Sequence, residues 1–219
     1  DLQTSDRSSF YYRMFWPGPK PEWSGIARGC SHPHANPDRD NMHTVERQAE
    51  QLEMAGISDV ATADLSWAEA DISRFGLGGR YALLVPGGAQ HRPAKRWPAD
   101  GFSEVAGALA ERDITPVLLG SSAESDLMAK IQTRFPTAQD LSGQTSLLEL
   151  AQLGRGAVAA IGNDTGPMHL IAGVGCKSVV LFSEASDPAL CAQRGPDVTI
   201  LRRRHMSDLS SQEVLAELD

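Results

Sequence analysis

The sequence predicts an α/β protein built on a doubly wound parallel sheet. Two observations lead to this class. From residue 81 onward, short apolar runs are continuous rather than alternating, as in parallel strands covered on both faces, and helical patterns separate one run from the next. Strands are predicted at residues 81–85, 116–119, 157–161, 178–182 and 198–201.

Helical periodicity fills several intervals between these strands. Ser146 with Glu149 and Ser210 with Glu213 have capping-box spacing, which predicts a helix start near each serine. A further helix is predicted from an apolar face that consists of Phe102, Val105, Ala106, Leu109 and Ala110.

The first third of the chain differs, because prolines interrupt it between two helical segments. Helices are predicted at residues 8–15 and 41–54, the second ending at Gly56. The glycine-rich stretch at 75–79 predicts a boundary between a partial first domain, residues 1–76, and a complete second domain, residues 77–219.

Composition narrows the classes of function. A chain of 219 residues with 41% hydrophobic residues has ample material for a core, and its net charge of −8 disfavours nucleic acid or an anionic membrane surface as a partner. Its three cysteines are widely spaced, without a C-x-x-C pair, which fits a reducing cytosol. No apolar run approaches the ~18 residues needed to cross a bilayer.

A phosphate-binding geometry is predicted at residues 162–169, where a buried strand ends in Gly-Asn-Asp-Thr-Gly-Pro and a helix follows, with Pro167 in its first turn. A helix start binds anions through its unpaired N–H groups and dipole, and Gly166 allows close backbone approach. Asp164, at a strand's carboxyl end, is placed to accept hydrogen bonds from sugar hydroxyls. From spacing alone, helix capping by Asp164 or Thr165 explains these residues equally well.

A second candidate is the glycine loop at residues 86–89, which follows the first strong strand and precedes a basic stretch. Gly87 and Gly88 can cradle a phosphate, and Lys95 or Arg96 can neutralise a diphosphate that gains charge as it leaves. The loop is neither a G-x-G-x-x-G fingerprint nor a P-loop. An ordinary strand-to-helix turn with a solvated basic edge is the alternative interpretation.

The third candidate is the segment at residues 120–124, which follows the carboxyl end of a predicted strand. Its Glu124 can accept hydrogen bonds from both hydroxyls of a ribose. Compensation of the dipole of the following helix explains a glutamate there as well. Asp38 and Asp40 spell a D-x-D pattern, but helix capping is the better interpretation. No metal site is predicted from the remaining candidate ligands, which are Cys30, His32, His34 and His43.

Taken in order, these segments resemble glycosyltransferase family 9, the heptosyltransferases that extend the inner core of bacterial lipopolysaccharide from ADP-heptose. The blocks that carry the resemblance are residues 86–89 with 95–98, residues 119–124, and residues 162–170 continuing to 181–182 and 187–188. The last block is specific and the other two support it. Residues 1–3, 7–8 and 45–47 also resemble the family's first domain, so the likeness spans essentially the whole chain.

The resemblance implies a GT-B-like fold, with a complete C-terminal Rossmann-like domain that binds the donor and a partial N-terminal Rossmann-like domain on the acceptor side. It implies an inverting transfer of a heptose-like sugar from a nucleoside-diphosphate donor, an ADP-sugar, to a lipopolysaccharide core or related glycan. Neither a cofactor nor a metal is expected. The location implied is cytoplasmic, with at most peripheral contact at the inner face of the bacterial inner membrane.

The resemblance also assigns roles to residues. Lys95 and Asp164 are expected to be catalytic, with Lys95 on the donor phosphates and sugar and Asp164 on the transferred sugar. Glu124 is expected on the ribose, and residues 141–145 around the base. The donor-binding residues expected are Gly87, Gly88, Arg96, Glu124, Thr165, Gly166, Pro167, Met168 and His169.

Two departures keep alternatives open. The family's general base lies upstream of the segment that residues 1–3 resemble, so the resemblance places it outside this sequence. Residues 183–186 differ from the family's usual Gly-Pro-Thr. A non-catalytic module that binds a nucleotide sugar or glycan, and a GT-B-fold sugar-nucleotide epimerase, are therefore alternatives to the transferase.

Overall fold

The computed structural model describes residues 1–219 and divides them into two compact units. The first unit comprises Asp1–Ala63 and Ala189–Cys191, and the second comprises Asp64–Pro188 and Ala192–Asp219. The functional domain boundary at residues 76 and 77 stays a prediction. None of the helices combines the length and apolar composition that a bilayer crossing requires.

The first unit contains two helices and a minimal sheet. Its elements are α1 (Asp6–Arg13), β1 (Ser24–Gly25), β2 (His32–Pro33) and α2 (Thr44–Met54). The two strands pair in parallel. Helix α1 begins in a capping box formed by Ser5 and Ser8, and α2 ends before Gly56, whose positive φ of 85° is the left-handed conformation typical of a helix stop.

The capping role predicted for Asp38 is wrong. Asp38 precedes only a short 3₁₀ turn, Arg39–Asn41, and its side chain makes no capping hydrogen bond. The N-cap of α2 is His43, whose Nδ1 accepts from the Val45 N–H at 3.2 Å. A histidine acceptor satisfies the same orphan donor that an aspartate would have satisfied, so the capping position lies five residues later than the sequence suggested.

The second unit alternates strands and helices, as the sequence predicts. Its elements are β3 (Tyr81–Val85), α3 (Ala99–Ala110), β4 (Thr115–Leu118), α4 (Ser125–Arg134), β5 (Gln139–Asp140), α5 (Leu147–Gly156), β6 (Ala159–Asn163), α6 (Gly166–Gly173), β7 (Ser178–Phe182), β8 (Val198–Arg202) and α8 (Ser211–Ala216). The short helix α7 (Pro188–Cys191) lies between β7 and β8 in the chain, and its residues Ala189–Cys191 belong to the first unit. Helices α5 and α8 begin at Ser146 and Ser210 in the predicted capping boxes.

All six strands of the main sheet are parallel, in the order β5-β4-β3-β6-β7-β8. Strand order reverses direction between β3 and β6, which are direct neighbours with Val85 opposite Gly162. In a doubly wound sheet, the loops that leave two such strands diverge to opposite faces and open a crevice at their carboxyl ends. The topology therefore places the loops after Val85 and Asn163 at one crevice.

The apolar strands form the core of this unit. Every residue of β3, β6 and β7 is buried, because helices cover both faces of the sheet. Phe102, Val105 and Leu109 of α3 pack into the same core and are at most 1% exposed. The α/β class predicted from the continuous apolar runs is confirmed.

Candidate functional site

A cavity of about 640 Å³ opens at the crevice between the carboxyl ends of the central strands, and all of its walls belong to the second unit. It is bounded by the loops that follow β3, β4 and β6 and by the start of α5. The lining residues are Val85, Gly87, Gly88, Ala89, Gln90, Leu119, Gly120, Ser121, Glu124, Thr145, Leu150, Asp164, Thr165, Gly166 and Pro167. The structure thus brings together residues from the three segments singled out in the sequence.

Glu124, which follows β4, holds the glycine loop after β3 by a hydrogen bond. One oxygen, Oε1, accepts from the Gly88 N–H at 2.8 Å, and the other, Oε2, accepts from the Ser121 N–H at 2.8 Å and hydroxyl at 2.9 Å. A Cβ on Gly87 would lie 2.0 Å from Glu124 Oε1. Glycine at position 87 therefore leaves the space that this carboxylate occupies, and Glu124 ties the loops after β3 and β4 together.

Asn163 is a functional candidate that sequence reasoning missed. It is completely buried, and its amide donates to the carbonyls of Pro86 at 2.8 Å and Gly87 at 3.1 Å. Its side-chain oxygen accepts from the Trp97 N–H at 3.0 Å. One side chain therefore sets the distance between the glycine loop, the end of β6 and the start of α3. Arg96 adds a hydrogen bond to the Gly88 carbonyl.

Lys95 and Asp164, the two residues expected to be catalytic, form an ion pair. Lys95 Nζ lies 2.6 Å from Asp164 Oδ2, and their side chains are 13% and 7% exposed. Asp164 Oδ2 also accepts from the Ser186 hydroxyl at 2.7 Å, and Oδ1 accepts from the Gln193 amide at 3.2 Å. Donors from three separate segments of the chain therefore converge on one carboxylate.

The charge state of Asp164 follows from two opposing effects. Burial by itself raises the pKa of this carboxyl, but the hydrogen bonds from Lys95, Ser186 and Gln193 and the charge of Lys95 outweigh it. The pKa of Asp164 consequently lies below its ordinary value. Because its pKa lies below the ordinary value, Asp164 is ionised at neutral pH and can accept hydrogen bonds.

The start of α6 supplies backbone donors to the cavity wall. The helix begins at Gly166, with Thr165 at the N-cap position and Pro167 in the first turn. The Thr165 hydroxyl makes no capping bond, and its oxygen is buried without a hydrogen-bond partner. Capping therefore does not explain Thr165. Met168 is buried in the core against Gly162, and His169 lies exposed on the helix, so neither side chain lines the cavity.

Polar clusters also lie outside the cavity. His34 is buried 3.9 Å from Glu50, its two ring nitrogens make no hydrogen bond, and burial lowers its pKa. His43 caps α2 and lies 2.9 Å from Glu46. No group of three or more histidine, cysteine or acidic side chains has the arrangement of a metal site. The arginines that follow β8 each face a carboxylate, the pairs being Arg202 with Asp187, Arg203 with Glu213 and Arg204 with Glu184.

Known proteins share this fold and parts of this sequence. Lipooligosaccharide heptosyltransferase 2 of Haemophilus influenzae is 29% identical over 131 residues, which are 58% of this chain and 38% of that protein. Solved structures with the same fold include ADP-heptose lps heptosyltransferase II of E. coli, with a TM-score of 0.76 and 22% identity over 98% of this chain and 73% of that one. Another is E. coli heptosyltransferase WaaC with ADP, with a TM-score of 0.67 and 24% identity over 89% of this chain and 61% of that one.

The chain therefore spans well under half of that curated relative, and the structural similarity is evidence for the shared fold. The family itself is settled by a longer match. The model for glycosyltransferase family 9 (heptosyltransferase) matches residues 28–218, which include every residue that lines the cavity. The resemblance noted in the sequence is confirmed, and the chain belongs to glycosyltransferase family 9, the heptosyltransferases.

Proposed function

We propose that this chain binds the donor in an inverting transfer of a heptose-like sugar, from an ADP-sugar to a lipopolysaccharide core or a related glycan. The observation that carries the proposal is the cavity at the strand crevice, whose wall includes Asp164, the partner of Lys95, beside the start of α6. Family membership supports the reaction class. The fold relative solved with ADP supports the choice of nucleotide.

The diphosphate is proposed to bind at the start of α6. Backbone N–H groups in the first turn of a helix lack intrahelical partners, and the helix dipole favours an anion there. The unpartnered hydroxyl of Thr165 adds a donor at the same place. Lys95 has three N–H donors, so it can bind a phosphate oxygen while it keeps its bond to Asp164. The positive charge of Lys95 then stabilises the diphosphate as it leaves.

The nucleoside is proposed to occupy the other end of the cavity. Leu119, Thr145 and Leu150 form a mostly apolar wall suited to a base. Glu124 Oε1 accepts one hydrogen bond, from Gly88, which leaves it capacity for one ribose hydroxyl. We therefore propose a single ribose contact for Glu124, because Oε2 already accepts two bonds from Ser121.

Asp164 is proposed to orient the transferred sugar by accepting hydrogen bonds from its hydroxyls. Its lowered pKa keeps it ionised during this contact. We assign no general base among the residues of the cavity. The acceptor is proposed to be a lipopolysaccharide core, handled on the cytoplasmic side, with any membrane contact peripheral.

Calorimetric titration with ADP, UDP and GDP tests the donor site. We expect ADP to bind, and we expect Lys95→Ala to lower its affinity by about tenfold or more, since a hydrogen bond to a charged group contributes about 1.5–3 kcal/mol. Lys130→Ala, at an exposed position of α4, is the matched control and should leave the affinity unchanged. If none of the three nucleotides binds, the donor-site proposal is wrong.

Product analysis separates the transferase from its alternatives. ADP-heptose is incubated with and without a core-oligosaccharide acceptor. A glycosylated acceptor is the expected product when the assay uses a protein that contains both this chain and the upstream segment in which the family carries its general base. Conversion of the donor in the absence of acceptor would instead indicate an epimerase, and nucleotide binding without any turnover would indicate a binding module.

A further inference from the structure

Two neutral side chains hold the carboxylate of Asp164 from opposite sides. The Ser186 hydroxyl lies 2.7 Å from Oδ2, and the Gln193 amide nitrogen lies 3.2 Å from Oδ1. Both residues are nearly inaccessible, with 9% and 3% exposure. They come from segments that follow β7 and α7, respectively, and neither belongs to the set of residues that lines the cavity.

Their combined effect is to fix the orientation of the carboxylate. Rotation about the Cβ–Cγ bond moves both carboxylate oxygens together. The bonds of Lys95 and Ser186 to Oδ2 and the bond of Gln193 to Oδ1 therefore all oppose that rotation. The χ2 torsion of an aspartate is otherwise broad, because it joins a tetrahedral to a planar carbon. A carboxylate fixed at both oxygens presents its acceptor sites in one direction.

The side chain of Gln193 carries an unsatisfied polar atom that an apolar side chain of the same size would not have. Its Oε1 is buried without a hydrogen-bond partner, and a buried unsatisfied carbonyl costs about as much as a lost hydrogen bond. Methionine has similar length and would fill the space without that unsatisfied oxygen. Glutamine offers one feature that methionine lacks, which is an amide N–H that donates a hydrogen bond to Asp164.

We propose that Ser186 and Gln193 are positioning residues, which hold the Asp164 carboxylate in the orientation that receives the hydroxyls of the transferred sugar. The inference rests on the proposed function, because it assigns Asp164 to the sugar of the donor. Ser186 lies in the loop that follows β7, and its hydroxyl supplies a donor to Asp164 from that loop.

The test compares the affinities for ADP and ADP-heptose by calorimetry, because only the second ligand carries the sugar. The variants are Ser186→Ala and Gln193→Met, which remove the donors, and Ser186→Thr, which keeps the hydroxyl. For Ser186→Ala and for Gln193→Met, we expect affinity for ADP-heptose to fall about tenfold, because each variant removes a hydrogen bond to a charged carboxylate, and we expect affinity for ADP to stay within about twofold. Ser186→Thr should restore binding of ADP-heptose.

Ser207→Ala and Gln212→Met are matched controls at exposed positions and should bind both ligands as the unchanged protein does. Equal losses for ADP and ADP-heptose in Ser186→Ala and Gln193→Met would mean a general structural effect and would overturn the inference. Unchanged affinity for ADP-heptose in both variants would overturn it too. If the unchanged protein binds neither ligand, the proposed function fails, and this inference falls with it.

Discussion

Glu124 and Gly87 depend on each other, because the carboxylate occupies the space that a side chain at position 87 would need. A Cβ there would lie 2.0 Å from Glu124 Oε1. Glu124 is a flexible side chain, so it can move away, but it then gives up its bonds to Gly88 and Ser121. A side chain at position 87 would therefore loosen the loop after β3 and leave the core packing unchanged.

We expect Gly87→Ala to lower ADP affinity by about tenfold, with only a small change in melting temperature. Calorimetric titration and thermal unfolding measure the two effects. Glu124→Ala should cause a similar loss of affinity. The double variant should lose little more than either single variant, because both changes remove the same contact. Additive losses would show that the two residues act independently. Gly107→Ala in α3, where a Cβ meets nothing within 4 Å, is the control.

At the scale of elements, Asn163 connects the end of β6 to the loop after β3 and the start of α3. Its replacement by leucine leaves the Trp97 N–H and the carbonyls of Pro86 and Gly87 without their partner in a buried region. We expect Asn163→Leu to lower the free energy of unfolding by about 2–4 kcal/mol. Urea denaturation measures it.

The control for this substitution is Asn41→Leu, at an exposed position, which should change the free energy of unfolding by less than about 0.5 kcal/mol. A loss at position 163 no greater than that at position 41 would contradict the role assigned to Asn163.

Sequence patterns predicted the elements that apolar residues define, and they failed where polar residues form the element. The strand predicted at 157–161 extends to Asn163, because Gly162 and Asn163 pair with β7 although their types suggest a turn. Strand β5 has no apolar signal, since it consists of Gln139 and Asp140. It exists because those residues pair with Val117 and Leu118 of β4.

The candidate site shows the same division. Residues that line the cavity stand at strand ends, where the sequence marks them. Asn163, Ser186 and Gln193 act through partners that are distant in the chain, since Ser186 and Gln193 lie 22 and 29 residues from Asp164, and Asn163 lies 66 residues from Trp97. Contacts at such separations follow from the order of strands in the sheet, which local periodicity does not specify.

For the molecule as a whole, the cavity lies entirely within the second unit, and an exposed stretch joins that unit to the preceding residues. Residues 56–64 are all exposed, and none of residues 57–64 belongs to a helix or strand. We expect thermolysin to cut this stretch first, at Ile57 or Val60, because proteases attack exposed extended backbone. Mass spectrometry of a limited digest identifies the cut.

The large fragment from this digest should still bind ADP with the affinity of the whole chain, because every residue that lines the cavity lies C-terminal to the cut. Calorimetry on the purified fragment checks this. Loss of ADP binding in a fragment that keeps its helical circular dichroism would contradict the assignment of the donor site to the second unit.

The two edge strands of the main sheet, β5 and β8, have features that disfavour pairing with a strand of another molecule. An open edge offers unpaired N–H and C=O groups to any other strand that comes near. Strand β5 offers only two residues, too few for a foreign strand to pair with. Strand β8 ends at Arg202, and two further arginines follow it, all paired with carboxylates, so charged side chains stand at the carboxyl end of the other edge. Short edge strands and charged side chains both disfavour edge-to-edge addition, the first step toward fibrous aggregates.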